Sequence, residues 1–343
     1  MRNLADPAKL DIDAVVLWVN GCDPVLQAKR QVFEKEANVH TSAFDQTRFA
    51  DMGEIYFCLG SILKFAPWFR TIWIITDHQR PDHIDEFVNE GLACGTNIEI
   101  IDHCVIFRDH LDCLPSFNSS SIETMIWNIP GLSERFVYFN DDFFLNSAAS
   151  VETFFDGHRP KIRGRWRSTE LKGLQKRISA VASAVGIRPR IKRVGYSNGQ
   201  RLSAWTAGFY MRFYGVDHVP RPLRRSDLQT FFKGKSGLLA QQLKHRFRHQ
   251  DQFITWSLAY HLAIKSGDAV LLPDEHPLYP TAENPMISEI GSERFRFGCV
   301  QSLDKWPIDL QDDFKCGLAN LLSDKLPTAV KRGLFNERQC DGS

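Results

Sequence analysis

Short apolar segments alternate with amphipathic segments along the first 145 residues. Four apolar segments have the length and the β-branched or aromatic composition of buried strands, and they lie at residues 13–19, 71–76, 97–101 and 136–139. Residues 25–39, 54–66, 82–92 and 121–128 have helical character instead, and Pro67 ends the second of these segments. Strands that alternate with helices are typical of a mainly parallel sheet covered by helices.

Polar or acidic residues follow each predicted strand. They are Asn20 and Asp23 after the first strand, Asp77 after the second, Asp102 and His103 after the third, and Asp141 and Asp142 after the fourth. Ligands of parallel α/β sheets bind beyond the carboxyl ends of the strands, so we expect these side chains to converge on one edge. The sequence contains neither a Gly-x-Gly-x-x-Gly motif nor a Walker-type loop, which removes the main support for dinucleotide-binding and P-loop functions.

Asp141 and Asp142 allow two interpretations. An unpaired buried carboxylate is very costly, and a hard divalent cation that carries a phosphate-rich ligand would stabilise this pair. Asn and Asp are also common turn formers, so the same residues fit a solvated turn. The acidic residues at the other strand ends favour the metal interpretation.

Composition sets the broad class of the protein. The chain has 343 residues, a formal net charge of +1 and a hydrophobic fraction of 43%, which predicts one large or two modest folded domains. Its eight Cys show no zinc-site or Cys-x-x-Cys spacing. We find no signal peptide at the start and no apolar run near the roughly 18 residues of a membrane span, so we expect a cytoplasmic protein.

Residues 159–201 differ from the rest of the chain because they contain thirteen Lys or Arg and one acid, Glu170. This segment, in which residues 171–185 suit an amphipathic helix, is either a solvated basic face or a docking surface for a polyanion or an anionic lipid. Nucleic acid is not expected as a partner, since the chain has no RNP, zinc-finger or helix-turn-helix signature. The aromatic-rich residues 204–216 favour strands or core, and residues 251–265 favour a helix.

We therefore expect a single catalytic domain over residues 1–343. Its core spans residues 12–156 and 202–290, a basic, partly helical insertion occupies about 159–201, and a loop-rich part with Pro273, Pro277, Pro280 and Pro285 occupies 270–343.

Four blocks of the sequence carry a family resemblance. They are Ile12 to Pro24 with the Trp-Val-Asn-Gly core at 18–21, Arg48 through Leu114–Ser119 to Asp142, His218-Val219-Pro220, and Arg246 to Phe253. In this order they resemble the Stealth family of sugar-phosphate transferases, which includes bacterial capsular polysaccharide phosphotransferases and the catalytic part of the animal N-acetylglucosamine-1-phosphotransferase. The chain departs from the usual family pattern at Met52, Tyr56, Met125 and Trp127.

The resemblance implies a Rossmann-like (GT-A-like) α/β fold and a specific reaction. A nucleotide sugar donates its whole sugar-1-phosphate to a hydroxyl of a polysaccharide acceptor, the nucleoside monophosphate leaves, and a phosphodiester of a capsule or exopolysaccharide forms. Peripheral association with the inner membrane or with capsule assembly machinery is left open.

The chemistry of that reaction suggests roles for individual residues. Mg²⁺ or Mn²⁺ on Asp141 and Asp142 would neutralise the diphosphate, with Arg48 and Arg246 as further cations. His218 would take the acceptor proton, unless it is a structural histidine. Asp51 is a weaker candidate for the base, and Asn20, Asp23, Glu54, Asn118 and Glu123 are candidates for donor contacts, with caps and turns as their alternative roles.

Two rival functions remain at this stage. One is a metal-dependent glycosyltransferase that releases the nucleoside diphosphate. The other is a non-enzymatic polyanion-binding module built on residues 159–201.

Overall fold

The computed structural model describes residues 11–35, 40–169 and 195–340. Its strands are β1 (Ile12–Leu17), β2 (Thr71–Thr76), β3 (Asn97–Asp102), β4 (Arg135–Asn140), β5 (Phe143–Leu145), β6 (Phe155–Asp156), β7 (Arg159–Arg163), β8 (Arg165–Ser168), β9 (Arg212–Gly215), β10 (Arg221–Arg224), β11 (Val270–Leu272) and β12 (Phe297–Cys299). The α-helices span Pro24–Glu34, Glu54–Phe65, Glu86–Asn89, His103–Ile106, Ser119–Glu123, Val151–Phe154, Tyr196–Ala207, Arg225–Phe232, Ser236–Leu243, Thr255–Ser266, Ile308–Leu321 and Thr328–Cys340. Short 3₁₀ turns lie at Thr41–Ala43, Gln46–Arg48, Leu111–Cys113, Ile126–Asn128, Ile287–Glu289 and Leu303–Lys305.

A five-stranded sheet in the order β10-β4-β1-β2-β3 organises these elements. Strand β1 is parallel to both β2 and β4, β2 is parallel to β3, and β10 runs antiparallel to β4. The predicted mainly parallel α/β sheet flanked by helices is confirmed. The chain passes from β1 to β2 on one side and later returns to β4 on the other, so the order reverses between β1 and β4, and ligands of open α/β sheets bind at such a point.

The core forms because the sheet strands are apolar on both faces. Ala14, Val15 and Val16 of β1 are fully buried, as are Phe136 to Phe139 of β4. The helix Glu54–Phe65 covers one face through residues at helical spacing, which include Ile55, Leu59 and Ile62. The sequence predicted this helix and strand β2 to within one residue.

A second, smaller sheet packs against the residues that follow β4. Strand β5 pairs antiparallel with β12, and the backbone N–H of Val300 donates to the carbonyl of Asp142 at 3.0 Å. The helix Ile308–Leu321 packs behind β5 and β12, with Phe314 against Phe144. The segment predicted to be loop-rich therefore contains, besides its loops, the helices Ile308–Leu321 and Thr328–Cys340.

Several predicted elements differ from the structure. Within 82–92 only Glu86–Asn89 is helical, and 121–128 is divided between Ser119–Glu123 and a 3₁₀ turn at Ile126–Asn128. Within 204–216 the first residues end the helix Tyr196–Ala207, whose aromatic content suggested strands. Gly208 at φ 98° ends that helix, in a conformation that favours glycine. Aromatic residues prefer strands only weakly, and tertiary packing overrides that preference here.

The structure describes only part of the basic segment, residues 159–201. Residues 170–194, including the predicted helix 171–185, lie outside the described residues. On the described flank, Arg163, Arg165 and Arg167 pair with Glu275, Asp274 and Asp217, respectively. These ion pairs offset the charge of the three arginines, of which Arg163 is buried and Arg165 is exposed.

Two further observations concern the described part of the chain. The cysteines whose side chains are described are free thiols. None of the described helices has both the length and the apolar character needed to cross a lipid bilayer.

Candidate active site

A cleft of about 720 Å³ opens where β1 and β4 end. Trp18 lines it after β1, and Asn140, Asp141 and Asp142 line it after β4. Asp77 and His103 line it after β2 and β3, so part of the expected convergence is observed. Asp102 does not line the cleft and caps the helix His103–Ile106 instead. The volume lies within the range of small-molecule sites, roughly 300–1,000 Å³.

The two adjacent carboxylates sit in a tight turn that points into this cleft. Asp141 and Asp142 connect β4 to β5, and the N–H of Asp142 donates to Asp141 Oδ1 at 3.1 Å. The Cys299 thiol lies 3.7 Å from Asp142 Oδ2. The turn interpretation of the sequence is thus correct for the backbone, while both side chains remain largely shielded from solvent.

Two more acids face the pair from the start of the helix Glu54–Phe65. Glu54 Oε2 accepts the N–H of Met52 at 2.6 Å, and Asp51 accepts the N–H of Gly53 at 2.9 Å. The indole N–H of Trp18 donates to Asp51 Oδ2 at 3.0 Å, which ties this acid to the end of β1. Glu54 lines the cleft, whereas Asp51, predicted as a weaker candidate for the base, does not.

Burial and mutual repulsion disfavour ionisation of all four acids together. Burial raises the pKa of Asp142 to about 6 and that of Glu54 to about 7, and the charges of Asp51 and Asp142 also raise the pKa of Glu54. Burial, followed by the charges of Asp142, Glu54 and Asp51, raises the pKa of Asp141 well above its ordinary value. A site that collects so much negative charge is suited to a cation.

These residues fit a hard divalent metal ion. Asp142 Oδ1 is buried and has no hydrogen-bond partner among the described residues, so one carboxylate oxygen is available for a ligand. Carboxylate oxygens are the ligands that Mg²⁺ and Mn²⁺ prefer. The described residues also contain two Asp/His groups with metal-binding proximity, Asp77–His78–Asp102 and Asp217–Asp274–His276, and neither includes Asp141 or Asp142.

His218 lines the same cleft on the side of β10. Its ring stacks on Tyr196, with 4.4 Å between ring centroids, and its Nδ1 lies 3.4 Å from Gln301 Nε2. Burial lowers the pKa of His218 to about 4, and the positive charge of Arg221 lowers it further. The imidazole is therefore neutral near pH 7 and able to accept a proton.

A close backbone approach brings Arg48 to the cleft. The N–H of Gly21 donates to the carbonyl of Phe49 at 2.8 Å, and a Cβ at Gly21 would lie 2.1 Å from that oxygen. Only glycine fits there. Phe49 packs with Leu26, Phe117 and other residues in a small apolar cluster that holds the surrounding loops.

Arg246 has a different position from the one predicted. Its guanidinium donates to the carbonyls of Asp112, Cys113 and Pro115 and lies 4.5 Å from the ring centroid of Phe33. It does not line the cleft. Two residues later, Arg248 does line it and donates to Ser119 Oγ at 2.6 Å.

The predicted donor-binding residues divide into two groups. Asn118 and Glu123 line the cleft, with Asn118 capping the helix Ser119–Glu123 and Tyr138 donating to Glu123 Oε1 at 3.1 Å. Asn20 and Asp23 do not line the cleft. Asn20 Oδ1 accepts the N–H of Cys22 in a turn, and Asp23 caps the helix Pro24–Glu34.

The structure adds residues that the sequence reasoning did not assign to the site. Arg221, Arg248, Tyr196, Trp256, Gln301 and Lys305 all line the cleft. Arg248 lies within the fourth of the resembling blocks and Arg221 directly follows the third, and these positions are the signal that was available. Gln301 lies 83 residues from His218 in sequence, and no local pattern marks it.

Parts of this sequence are similar to known proteins. Residues 48–162 match the model of Stealth protein CR2, conserved region 2. A capsular polysaccharide phosphotransferase of Actinobacillus suis is 40% identical over 150 residues, which cover 43% of this chain and 38% of that protein. The capsular polysaccharide phosphotransferase WcwK of Streptococcus pneumoniae is 25% identical, and the match covers 92% of this chain and 98% of that protein.

Among solved structures, mouse xyloside xylosyltransferase 1 in its apo form aligns with a TM-score of 0.34 and 10% identity, covering 87% of this chain and 99% of that chain. This low structural similarity supports no conclusion about the present chain. The matched region of the sequence includes Arg48, Glu54, Asn118, Glu123 and the Asp141–Asp142 pair, all of which line the cleft. The chain is therefore similar to Stealth proteins over conserved region 2, and it spans well under half the length of the Actinobacillus suis relative.

Proposed function

We propose that this protein is a phosphotransferase that moves a sugar-1-phosphate from a nucleotide-diphosphate sugar to a hydroxyl of a polysaccharide. The observation that carries the proposal is the meeting of an acid pair, a neutral histidine and several cationic side chains in one cleft. The relatives named capsular polysaccharide phosphotransferases support the class of reaction and of acceptor.

Asp141 and Asp142 would hold Mg²⁺ or Mn²⁺, with Glu54 and Asp51 adding to the negative field. The metal, when bound, would offset the charge of the diphosphate. Arg48, Arg248 and Lys305, which line the cleft, supply further positive charge for phosphate oxygens. Arg48 is the member of this group that the sequence predicted.

His218 acts as the general base. The acceptor hydroxyl gives its proton to the imidazole while its oxygen forms a bond to the phosphorus that carries the sugar. The bond between that phosphorus and the bridging oxygen of the diphosphate breaks, and its electron pair leaves with the nucleoside monophosphate. A positioned base of this kind contributes about 10²–10⁴-fold to the rate.

Aromatic rings next to this base would contact the sugar of the acceptor. Tyr196 stacks on His218, and the Tyr279 ring centroid lies 5.9 Å from that of His218. Tyr279 is 37% exposed and donates to Gln301 Oε1 at 2.6 Å, so its hydroxyl is fixed on a residue that lines the cleft. Asn118 and Glu123 would hydrogen-bond to the donor. A cytoplasmic location belongs to the same proposal.

The leaving nucleotide tests the proposal. The protein is incubated with a panel of nucleotide sugars and Mg²⁺ or Mn²⁺, and the nucleotides are separated by ion-exchange chromatography. We expect the nucleoside monophosphate from the preferred donor. Release of the nucleoside diphosphate would instead identify a glycosyltransferase.

A further inference from the structure

Arg221 is a buried cation that the proposed mechanism does not use. It begins β10, three residues after His218, and faces Tyr138 across the β10–β4 pair. The residue is 2% exposed, yet it lines the cleft together with Asp142 and His218. Burying a guanidinium is costly unless its N–H groups and its charge find partners.

Aromatic rings surround the Arg221 guanidinium. The guanidinium carbon lies 4.3 Å from the ring centroid of Trp256, 5.0 Å from that of Phe143 and 5.4 Å from that of Tyr138. Such contacts stabilise the cation and restrict its movement. They cannot satisfy its hydrogen-bonding capacity, because the N–H bonds of a guanidinium lie in its plane and need acceptor atoms.

A hydrogen bond to Tyr196 uses part of that hydrogen-bonding capacity, and the rest is unused. Arg221 Nε and Nη1 are buried and have no hydrogen-bond partner among the described residues. Glu123 has a matching deficit, since its Oε2 is also buried without a partner while its Oε1 accepts from Tyr138. Buried N–H donors without partners, held rigid beside a ligand cleft, are suited to donate hydrogen bonds to an oxyanion.

We infer that Arg221 is a catalytic residue that binds the non-bridging oxygens of the phosphoryl group being transferred. The inference rests on the proposed function, because it names the part of the donor that Arg221 contacts. No bond to Arg221 forms or breaks, and its N–H groups remain protonated throughout. The guanidinium supplies fixed donors where negative charge concentrates as the phosphorus changes partners.

The effect of Arg221 on the pKa of two neighbouring residues is consistent with this role. The charge of Arg221 opposes the burial effect that raises the pKa of Asp142, and it adds to the burial effect that lowers the pKa of His218. An anion bound at Arg221 therefore lies within electrostatic reach of both the acid pair and the base. A purely structural arginine would not require the cleft to contain an anion.

Binding of inorganic pyrophosphate with Mg²⁺, measured by isothermal titration calorimetry, tests the inference without turnover. Arg221→Lys keeps the charge but loses the planar, fixed guanidinium donors, and Arg221→Met loses both the charge and the donors. We expect the affinity to fall about 10-fold in the first variant and about 100-fold in the second, as for the loss of charge-assisted hydrogen bonds. Arg224→Lys is the matched control, because Arg224 lies on the same strand, is buried and pairs with Asp227 outside the cleft. Its affinity should equal that of the wild type.

A double variant separates ligand binding from folding. Arg221→Met leaves Glu123 without its neighbouring cation, so Arg221→Met/Glu123→Gln should regain thermal stability. If Arg221 binds the anion, the double variant stays defective in pyrophosphate binding although it is folded. Wild-type affinity in Arg221→Met, or its return in the double variant, would overturn the inference.

The nucleotide assay distinguishes this inference from the proposed function. If the wild type releases a nucleoside diphosphate while Arg221→Met loses pyrophosphate affinity, the anion site stands and the phosphotransferase proposal fails. If the wild type releases the monophosphate and Arg221→Met retains both release and affinity, the proposed function stands and the role of Arg221 is refuted.

Discussion

Replacement of Gly21 by alanine tests how the fold delivers Arg48 to the cleft. The added Cβ would lie 2.1 Å from the carbonyl oxygen of Phe49 and 2.3 Å from its Cβ, whereas ordinary contacts begin near 3.4 Å. The loop that carries Arg48 must therefore move by about 1 Å, a misplacement that costs about 10²-fold when it displaces a functional group. Because the clash involves backbone, a change of rotamer cannot relieve it.

The effect of Gly21→Ala on stability follows from the same contacts. Loss of the Gly21–Phe49 hydrogen bond costs about 1 kcal/mol, and overpacking costs about 1–3 kcal/mol. At about 2.1 cal/mol/K of unfolding entropy per residue, a chain of 343 residues would lose about 3–6 °C in Tm.

Gly237→Ala is the control for Gly21→Ala. Gly237 is exposed near the start of the helix Ser236–Leu243, and a Cβ there meets nothing within 4 Å. Alanine should be neutral or slightly stabilising at this site. Differential scanning fluorimetry gives the Tm, and release of nucleotide from the preferred donor gives the rate. Wild-type Tm and rate in Gly21→Ala would refute the proposed packing of this loop on the end of β1.

The remaining predictions concern the acid pair, the base and the two neighbouring arginines. Asp142→Asn should lose Mn²⁺ binding, measured by electron paramagnetic resonance, together with transfer activity, while the circular dichroism spectrum stays that of the wild type; full activity would remove the metal assignment. His218→Ala should lower kcat about 10²–10⁴-fold with donor affinity largely kept, and an effect on KM alone would indicate a binding role. The His218 ring should titrate near pH 4 by NMR, below the ordinary pKa of 6.5. Between pH 6.5 and pH 4 this histidine is therefore protonated in the unfolded chain but not in the folded one, so acidification over this range lowers the stability of the fold. Arg246→Ala should destabilise the fold by about 2–4 kcal/mol in chemical denaturation, since three hydrogen bonds and a ring contact are lost, whereas Arg248→Ala should lower activity with little change in stability; the reverse result would return the catalytic role to Arg246.

Strand ends were the part of the site that sequence could predict. Asp77 and Asp141 follow strands whose apolar composition marks them clearly, and parallel strands bring their carboxyl ends to one edge. The metal interpretation of the acid pair depended on the acidic residues at the other strand ends, and it remains a prediction. The basic insertion and the domain limits remain predictions, since residues 170–194 lie outside the described part of the chain.

Loop residues were harder to assign because alternation along a loop does not indicate which side chain faces a cleft. Arg246 and Arg248 are both arginines of one loop, and the sequence does not indicate which of them faces the cleft. Only the fold shows that Arg246 donates its hydrogen bonds to carbonyls of the 112–115 loop. The sequence offered no reason to assign Arg221 to the site, because an arginine at the start of a strand is normally exposed. Its burial depends on Trp256 and Phe143, which come from two other segments.

The bond that breaks in the nucleotide sugar distinguishes phosphoryl transfer from glycosyl transfer. The preferred nucleotide sugar, labelled with ¹⁸O at the oxygen that joins the anomeric carbon to phosphorus, is turned over with water or an oligosaccharide as acceptor, and the products are followed by ³¹P NMR. Phosphoryl transfer keeps that oxygen on the sugar, so the account predicts the label in a sugar-1-phosphate or its phosphodiester, alongside unlabelled nucleoside monophosphate. Label in a nucleoside diphosphate would contradict it.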